Sequence, residues 1–140
     1  SALIHTSLVK GDDARVRSLE ELGRIHYILN NHEKAIEFFD KVLCREPMNS
    51  KVILNKSMAY FSSSRYEKAI FCLEQILSND PFYFHAQYQK ARIQKILGNV
   101  KQSLDILSRI TKSNPDFKIV ISQDLVFDDL KDIEIFEKKE

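Results

Sequence analysis

The side chains in this chain of 140 residues that could support catalysis or metal binding are four histidines, two cysteines and a group of acids near the C-terminus. The histidines stand at positions 5, 26, 32 and 85, and no two are three or four residues apart, the spacing that places two imidazoles on one helix face. Cys44 and Cys72 belong to no CxxC motif, so we expect small, half-buried or interior, reduced side chains. Asp128, Asp129 and Asp132 are expected to be solvated charges on a polar helix face.

Sequence motifs that mark known catalytic sites are equally scarce. The sequence has no G-x-S-x-G, no P-loop, no H-E-x-x-H and no G-x-G-x-x-G. We therefore expect a protein that is not an enzyme and that uses no cofactor and no metal. The formal net charge of +1 does not favour nucleic acid as a partner, and no apolar run approaches the roughly 18 residues that a membrane-spanning helix needs.

The elements that must position any binding residues follow from composition and from the prolines. Three Gly and three Pro are too few for the frequent turns of an all-β fold, so the chain is predicted to be mainly helical. Pro47, Pro81 and Pro115 are spaced 34 residues apart, and each follows a short polar pair. A constant interval of this length indicates a structural repeat.

Apolar residues inside each repeat follow helical spacing. In the first copy they form one stripe over 19–29 and a second over 35–43, which predicts two amphipathic helices. The turns between paired helices are predicted at residues that accept a left-handed backbone, namely 30–31, 63–64 and 98–99. Each proline is expected to end the second helix, and Ser50 to cap the helix that follows.

The interval and the residues at its offsets resemble the tetratricopeptide repeat, whose pattern is W-x2-L-G-x2-Y…A-x3-F…P. The first copy matches at Leu19, Leu22, Gly23, Ala35, Phe39 and Pro47. The second copy keeps Tyr60, Ala69 and Pro81, with Ser57 at the glycine offset. The third copy is more divergent and retains Ala91, Ser103, Leu107 and Pro115.

This resemblance implies an all-α fold, a right-handed α-solenoid of helix-turn-helix hairpins in a single domain, 1–140. The repeats are expected at 16–49, 50–83 and 84–117. Residues 1–13 are interpreted as the end of a preceding repeat's helix, stopping near Gly11, which would place further sequence upstream. Residues 118–140 are expected to form a C-terminal capping helical segment.

The C-terminal segment is predicted to start as a helix and to break near Gln123 and Asp124. Asp124, Phe127 and Leu130, followed by Phe136, are similar to the tail that follows the last repeat in many tetratricopeptide-repeat proteins. Residues 116–140 carry a net charge of −4, whereas 1–115 carry +5. Two roles stay open for this segment: a simple cap, or an acidic element that folds against a basic groove and regulates it.

The resemblance also implies a concave groove lined by the first helix of each repeat. The groove residues that we expect to bind a partner are Arg24, Tyr27, Lys51, Leu54, Asn55, Met58, Phe61, His85, Tyr88, Arg92 and Lys95. Aromatic and methionine side chains beside cations suit a peptide with acidic and apolar residues. The Lys…Asn…Asn…Lys…Arg clamp of chaperone-binding relatives is absent at four of five positions, since only Asn55 matches.

The predicted function is a non-catalytic scaffold that binds a peptide or helix of a partner protein in this groove. The alternative is a docking or regulatory arm of a larger enzyme or assembly factor whose catalytic part lies outside this chain. Self-association through an end of the solenoid also stays open. The two isolated thiols favour a reducing compartment, the cytoplasm.

Overall fold

The computed structural model describes the backbone of residues 2–130 and the side chains of residues 13–130. The predicted all-α fold class is confirmed, because these residues form helices and contain no strand. The helices are α1 (Ala2–Ile28), α2 (His32–Arg45), α3 (Ser50–Ser62), α4 (Tyr66–Asn79), α5 (Phe84–Ile96), α6 (Val100–Ser113), α7 (Phe117–Gln123) and a 3-10 segment (Leu125–Leu130). The chain divides into two compact units, unit 1 (1–72) and unit 2 (73–140).

The turns inside the three hairpins share one backbone geometry. Asn30, Ser64 and Gly98 have φ angles of 63°, 61° and 87°, which lie in the left-handed region predicted for these turns. In each turn the next amide donates a hydrogen bond of 2.8 Å to a carbonyl five residues earlier. This bond satisfies a carbonyl at the end of the first helix and fixes the direction of the second helix.

The caps and the end of α7 test two smaller predictions. Asn49, and not Ser50, caps α3: its Oδ1 accepts a hydrogen bond of 3.2 Å from the Val52 amide. The prediction of Ser50 was wrong by one position because asparagine is as good a cap and precedes it. The predicted break after Gln123 is confirmed, since α7 ends there and Asp124 has an extended backbone.

Helix α1 is longer than the sequence pattern indicates. It runs without interruption from Ala2 to Ile28 and therefore passes through Gly11, where we expected a helix to end. A single glycine inside a helix costs only about 1 kcal/mol, and no proline follows it to stop the helix. The break at Gly11 is thus corrected, whereas the assignment of residues 1–13 to a preceding repeat stays a prediction.

The core of unit 1 lies between α1, α2 and α3. Phe39 is fully buried and packs with Val16, Val42 and Val52. The ring approaches Gly23 so closely that a Cβ built there would lie 2.5 Å from its Cε1 atom. The glycine of the first copy is therefore required by the contact between α1 and α2.

The core of unit 2 joins α5 and α6 to the C-terminal segment. Phe127 and Ile121 are 1% exposed and pack with Leu107 and Ile110 of α6. Ser103, fully buried, donates a hydrogen bond of 2.7 Å to the Ala91 carbonyl. The described part of the predicted capping segment is therefore built into this core, and residues 131–140, including Phe136, lie outside the described residues.

Candidate functional site

The eleven predicted groove residues fall into two groups, seven in unit 1 and four in unit 2. The unit 1 group lies on α1 and α3, and we call it the α1–α3 surface: Arg24, Tyr27, Lys51, Leu54, Asn55, Met58 and Phe61. The structure brings four of them together around one cavity of about 250 Å³. That cavity is lined by Arg24, Tyr27, Ile28, Phe39, Asn55 and Met58.

The cavity has an apolar interior and two polar side chains in its lining. Phe39 is buried and lines the cavity, although it was not among the predicted groove residues. Its position in the apolar stripe of α2 carries no signal for this contact. Met58 is half-buried, and a flexible thioether adapts to different apolar side chains. Arg24 and Asn55 supply hydrogen-bond donors beside this apolar surface. The arrangement suits one apolar side chain flanked by an acidic or amide group.

Ion pairs and hydrogen bonds hold the rim of the α1–α3 surface. Lys51 Nζ lies 3.2 Å from Glu20 Oε1, and Arg24 Nη1 lies 3.5 Å from Glu21 Oε2. The Tyr27 hydroxyl is 3.2 Å from the Ser62 hydroxyl. Both side chains of the Arg24–Glu21 pair are exposed, so this pair is weak and Arg24 can exchange partners at little cost, whereas Lys51 is 68% exposed but its partner Glu20 is only 16% exposed.

Leu54 and Phe61 complete the unit 1 group but do not line the cavity. Both are half-buried, and the Phe61 ring packs edge-on against Tyr66 with centroids 5.8 Å apart. Any role in binding stays a prediction.

The unit 2 group has a different environment, because the chain's own C-terminal segment covers three of its members. The Tyr88 hydroxyl donates a hydrogen bond to Asp124 Oδ2, and Arg92 Nε lies 2.9 Å from the same oxygen. Lys95 Nζ lies 3.1 Å from Asp129 Oδ1. We expected these side chains to bind a partner, whereas in the structure they contact Asp124 and Asp129 of the chain itself.

The ring of Tyr88 is enclosed as well as its hydroxyl. It packs edge-on against Phe117 with centroids 5.0 Å apart and is tilted against Phe127 at 6.1 Å. Burial and the hydrogen bond to Asp124 raise the pKa of Tyr88 above its ordinary value. The Tyr88 hydroxyl therefore stays protonated and donates to the Asp124 carboxylate, and the side chain has a structural role in this arrangement.

His85, the fourth member, is exposed. Its ring stacks on Phe84 at a centroid distance of 4.3 Å. The signal that could have found the covered group is in the sequence: a net charge of −4 after residue 115 and an aromatic residue three positions after Asp124. What the sequence does not specify is which helix that segment contacts.

The part of the chain that the structure describes contains neither a cluster of metal-ligating side chains nor a helix that could span a membrane. Among these residues no group of three His, Cys, Asp or Glu side chains is placed to hold a metal ion. None of the helices in 2–130 is both long and apolar enough to cross a membrane. Cys72 is buried, which raises the pKa of its thiol, while Cys44 is exposed, contrary to the expectation that both would be half-buried or interior.

Comparison with known proteins finds similarity in both sequence and fold. Residues 27–93 match the family model of the tetratricopeptide repeat. The rat serine/threonine-protein phosphatase 5 is 23% identical over 109 residues, which are 78% of this chain and 22% of the phosphatase. The chain therefore spans about a fifth of that relative's length, and the phosphatase activity is not carried over to it.

Solved structures agree on the fold. The crystal structure of MamA matches with a TM-score of 0.72 at 19% identity, over 94% of this chain and 80% of that chain. The first TPR of Spaghetti (RPAP3), bound to the HSP90 peptide SRMEEVD, matches with a TM-score of 0.67 at 16% identity, over 82% of this chain and 86% of that chain. At this level of identity the two matches establish the fold of this chain.

Proposed function

We propose that this chain, a protein with tetratricopeptide repeats, is a non-catalytic interaction scaffold whose α1–α3 surface binds a segment of a partner protein that carries acidic and apolar residues. The observation that carries the proposal is the cavity of about 250 Å³ lined by Arg24, Tyr27, Asn55 and Met58. Pockets that combine an apolar interior with a few polar groups are typical of specific recognition.

The proposed mode of binding follows from the contacts of the cavity. An apolar side chain of the partner enters between Met58 and Tyr27, where it is removed from water. A neighbouring carboxylate pairs with Arg24, replacing the exposed Glu21, and approaches the exposed ammonium group of Lys51 while Glu20 keeps its place. Because exposed ion pairs contribute only about 0–1 kcal/mol, this exchange costs little and the apolar anchor supplies most of the affinity.

The chemistry of a related complex supports this class of partner. The peptide SRMEEVD, bound by the first TPR of Spaghetti (RPAP3), combines two glutamates and an aspartate with methionine and valine. The carboxylate clamp implied by the family resemblance is not reproduced in this chain, where Glu20 and Arg24 occupy its first two offsets. We therefore propose internal acidic and apolar segments as partners, and not the free C-terminus of a chaperone.

A test uses a displayed library of random twelve-residue peptides selected on the full chain. Bound peptides are expected to be rich in Asp and Glu with one or two large apolar residues. Their affinity, measured by fluorescence anisotropy, should fall about tenfold or more in the double variant Arg24→Glu, Lys51→Glu. The matched control is Lys34→Glu, Lys41→Glu, which makes the same charge change on α2, away from the cavity.

The result that contradicts the proposal is equally specific. If the selected peptides bind the Arg24→Glu, Lys51→Glu variant and the α2 control with the same affinity, the α1–α3 surface is not their site. All four side chains are exposed and none belongs to the core, so both variants should fold. Circular dichroism of each variant checks this.

A further inference from the structure

A second surface, in unit 2, has the properties of a binding site and includes none of the predicted groove residues. It lies where the loop before α5 meets the C-terminal end of α6. Phe82 in this loop is 86% exposed, the most exposed large apolar side chain among the described residues. The ring borders a cavity of about 560 Å³ whose apolar lining also includes Pro81, Phe84 and Ile110.

The loop holds Phe82 in a defined position. The Phe82 amide donates a hydrogen bond of 3.1 Å to Asp80 Oδ1, and the Tyr83 amide donates one of 3.1 Å to the Asp80 carbonyl. The Gln87 side-chain amide donates to the Pro81 carbonyl. Phe84, next in the lining, is fixed by edge-on packing against Phe117 at 5.4 Å. An exposed aromatic ring on such a fixed loop loses little conformational freedom when it is covered by a partner.

The charged side chains that line this cavity are both cations, although the Asp80 carboxylate lies in the same loop. Arg109 and Lys112 line it, and an adjoining cavity of about 190 Å³ shares Pro81, Gln87 and Arg109 with it and adds Lys90. Within the described part of the chain, the lining of these two cavities includes no carboxylate. Lys90, which lies 3.8 Å from Glu74 of α4, lines only the smaller cavity. The cations that line the larger cavity are Arg109 and Lys112.

We propose that this surface, called the Phe82 surface and made of Pro81, Phe82, Phe84, Arg109, Ile110 and Lys112, binds an acidic peptide segment of a partner protein that presents one large apolar side chain. The apolar side chain occupies the cavity against Phe82 and Ile110. Carboxylates on either side of it pair with Arg109 and Lys112, in the charge-complementary arrangement that orients a partner and selects against basic sequences.

A peptide is favoured over a nucleic acid or an anionic membrane by the shape of the surface. Nucleic acid binding needs a row of cations that follows the phosphates, and membrane binding needs a broad basic face with several apolar anchors. The Phe82 surface has two cations at one concave site. A cavity of about 560 Å³ accommodates a few side chains and not an extended backbone of phosphates.

The experiment uses the full chain and the same peptide library, with each selected peptide measured against single variants. Peptides of this site should lose about 30-fold in affinity with Phe82→Ala, the loss expected for an aromatic hot spot, and about fivefold with Lys112→Glu. The controls are Phe71→Ala, an exposed phenylalanine of α4, and Lys101→Glu, an exposed lysine of α6, and both should change affinity less than twofold.

Peptides of the two proposed surfaces are separated by the Arg24→Glu, Lys51→Glu variant, which should leave ligands of the Phe82 surface bound. The proposal is overturned if no selected peptide responds to Phe82→Ala and Lys112→Glu. It is also overturned if a fluorescent single-stranded RNA or vesicles containing phosphatidylserine bind with that sensitivity while the peptides do not. Because Phe82 is exposed, Phe82→Ala is expected to retain the melting temperature of the wild type, which excludes misfolding as the cause.

Discussion

Asp124 links the C-terminal segment to α5, and its replacement by alanine tests how that segment is held. Its Oδ2 atom accepts a hydrogen bond from the Tyr88 hydroxyl and lies 2.9 Å from Arg92 Nε, and its Oδ1 atom accepts a hydrogen bond of 3.0 Å from the Val126 amide. The Asp124 side chain is only 14% exposed, so Asp124→Ala leaves the two donors on α5 without this acceptor in a largely dry environment.

The size of the effect can be worked from these contacts. Removing a charged acceptor from a partly buried hydrogen bond costs about 1.5–3 kcal/mol, and contacts that share one oxygen are not additive. We expect Asp124→Ala to lower the free energy of unfolding by about 3 kcal/mol. At a denaturant dependence of about 2 kcal/mol per molar urea, this corresponds to a midpoint lower by about 1.5 M.

The assay is urea denaturation followed by circular dichroism, with hydrogen exchange of the peptide spanning α5 to assign the loss to unit 2. Asp129→Ala is the matched control, because it removes the same side chain from the same segment but breaks an ion pair in which Asp129 is 69% exposed. The control should lower the stability by less than Asp124→Ala does, because Asp129 accepts from a single cation and is itself exposed, although Lys95 is only 16% exposed. Equal midpoints for Asp124→Ala and Asp129→Ala would refute the reasoning.

Three further predictions concern the cores and the tyrosine. Gly23→Ala should lower the free energy of unfolding by about 1–3 kcal/mol in urea titrations, because the clash with Phe39 outweighs the roughly 1 kcal/mol that alanine contributes to a helix. Phe127→Ala should cost about 3–5 kcal/mol, measured as a loss of thermal stability, since its ring is 1% exposed. Because the pKa of Tyr88 is raised in the folded state, the protonated hydroxyl contributes to the free energy of unfolding below pH 10. This contribution is lost as the pH rises through the pKa of the folded state. The free energy of unfolding, measured from pH 9 to 12, should therefore decline by up to about 1.4 kcal/mol per pH unit above pH 10. The decline should be smaller in Tyr88→Phe.

The helices and their turns could be predicted because local chemistry decides them. The left-handed residues at 30, 64 and 98 and the prolines that follow each hairpin are short-range signals, and the structure places a turn or a helix end at each. The errors are local too. Gly11 is tolerated inside α1, and Asn49 caps α3 ahead of Ser50, because in both places two outcomes differ by about 1 kcal/mol or less.

The candidate site was less predictable, since a family offset indicates which way a side chain points but not what covers it. Arg24, Tyr27, Asn55 and Met58 meet at one cavity as their offsets imply. Tyr88 has an equally suitable offset, yet it is buried against Phe117 and Phe127. That burial depends on how residues 124–130 fold back on α5, a long-range contact that no local pattern contains.

The hairpin turns carry a consequence for how such a chain can change over time. From Asn30, Ser64 and Gly98 to Pro47, Pro81 and Pro115 the separation is 17 residues in every copy, although three different side chains adopt the left-handed backbone. Substitution at the turn is thus tolerated, whereas an inserted residue would rotate the following helix by about 100° and turn its apolar stripe away from its neighbour. The number of residues between turn and proline is thus constrained, whereas the identity of the turn residue is not. Over evolution, these repeats should therefore accumulate substitutions and lose variants that carry insertions.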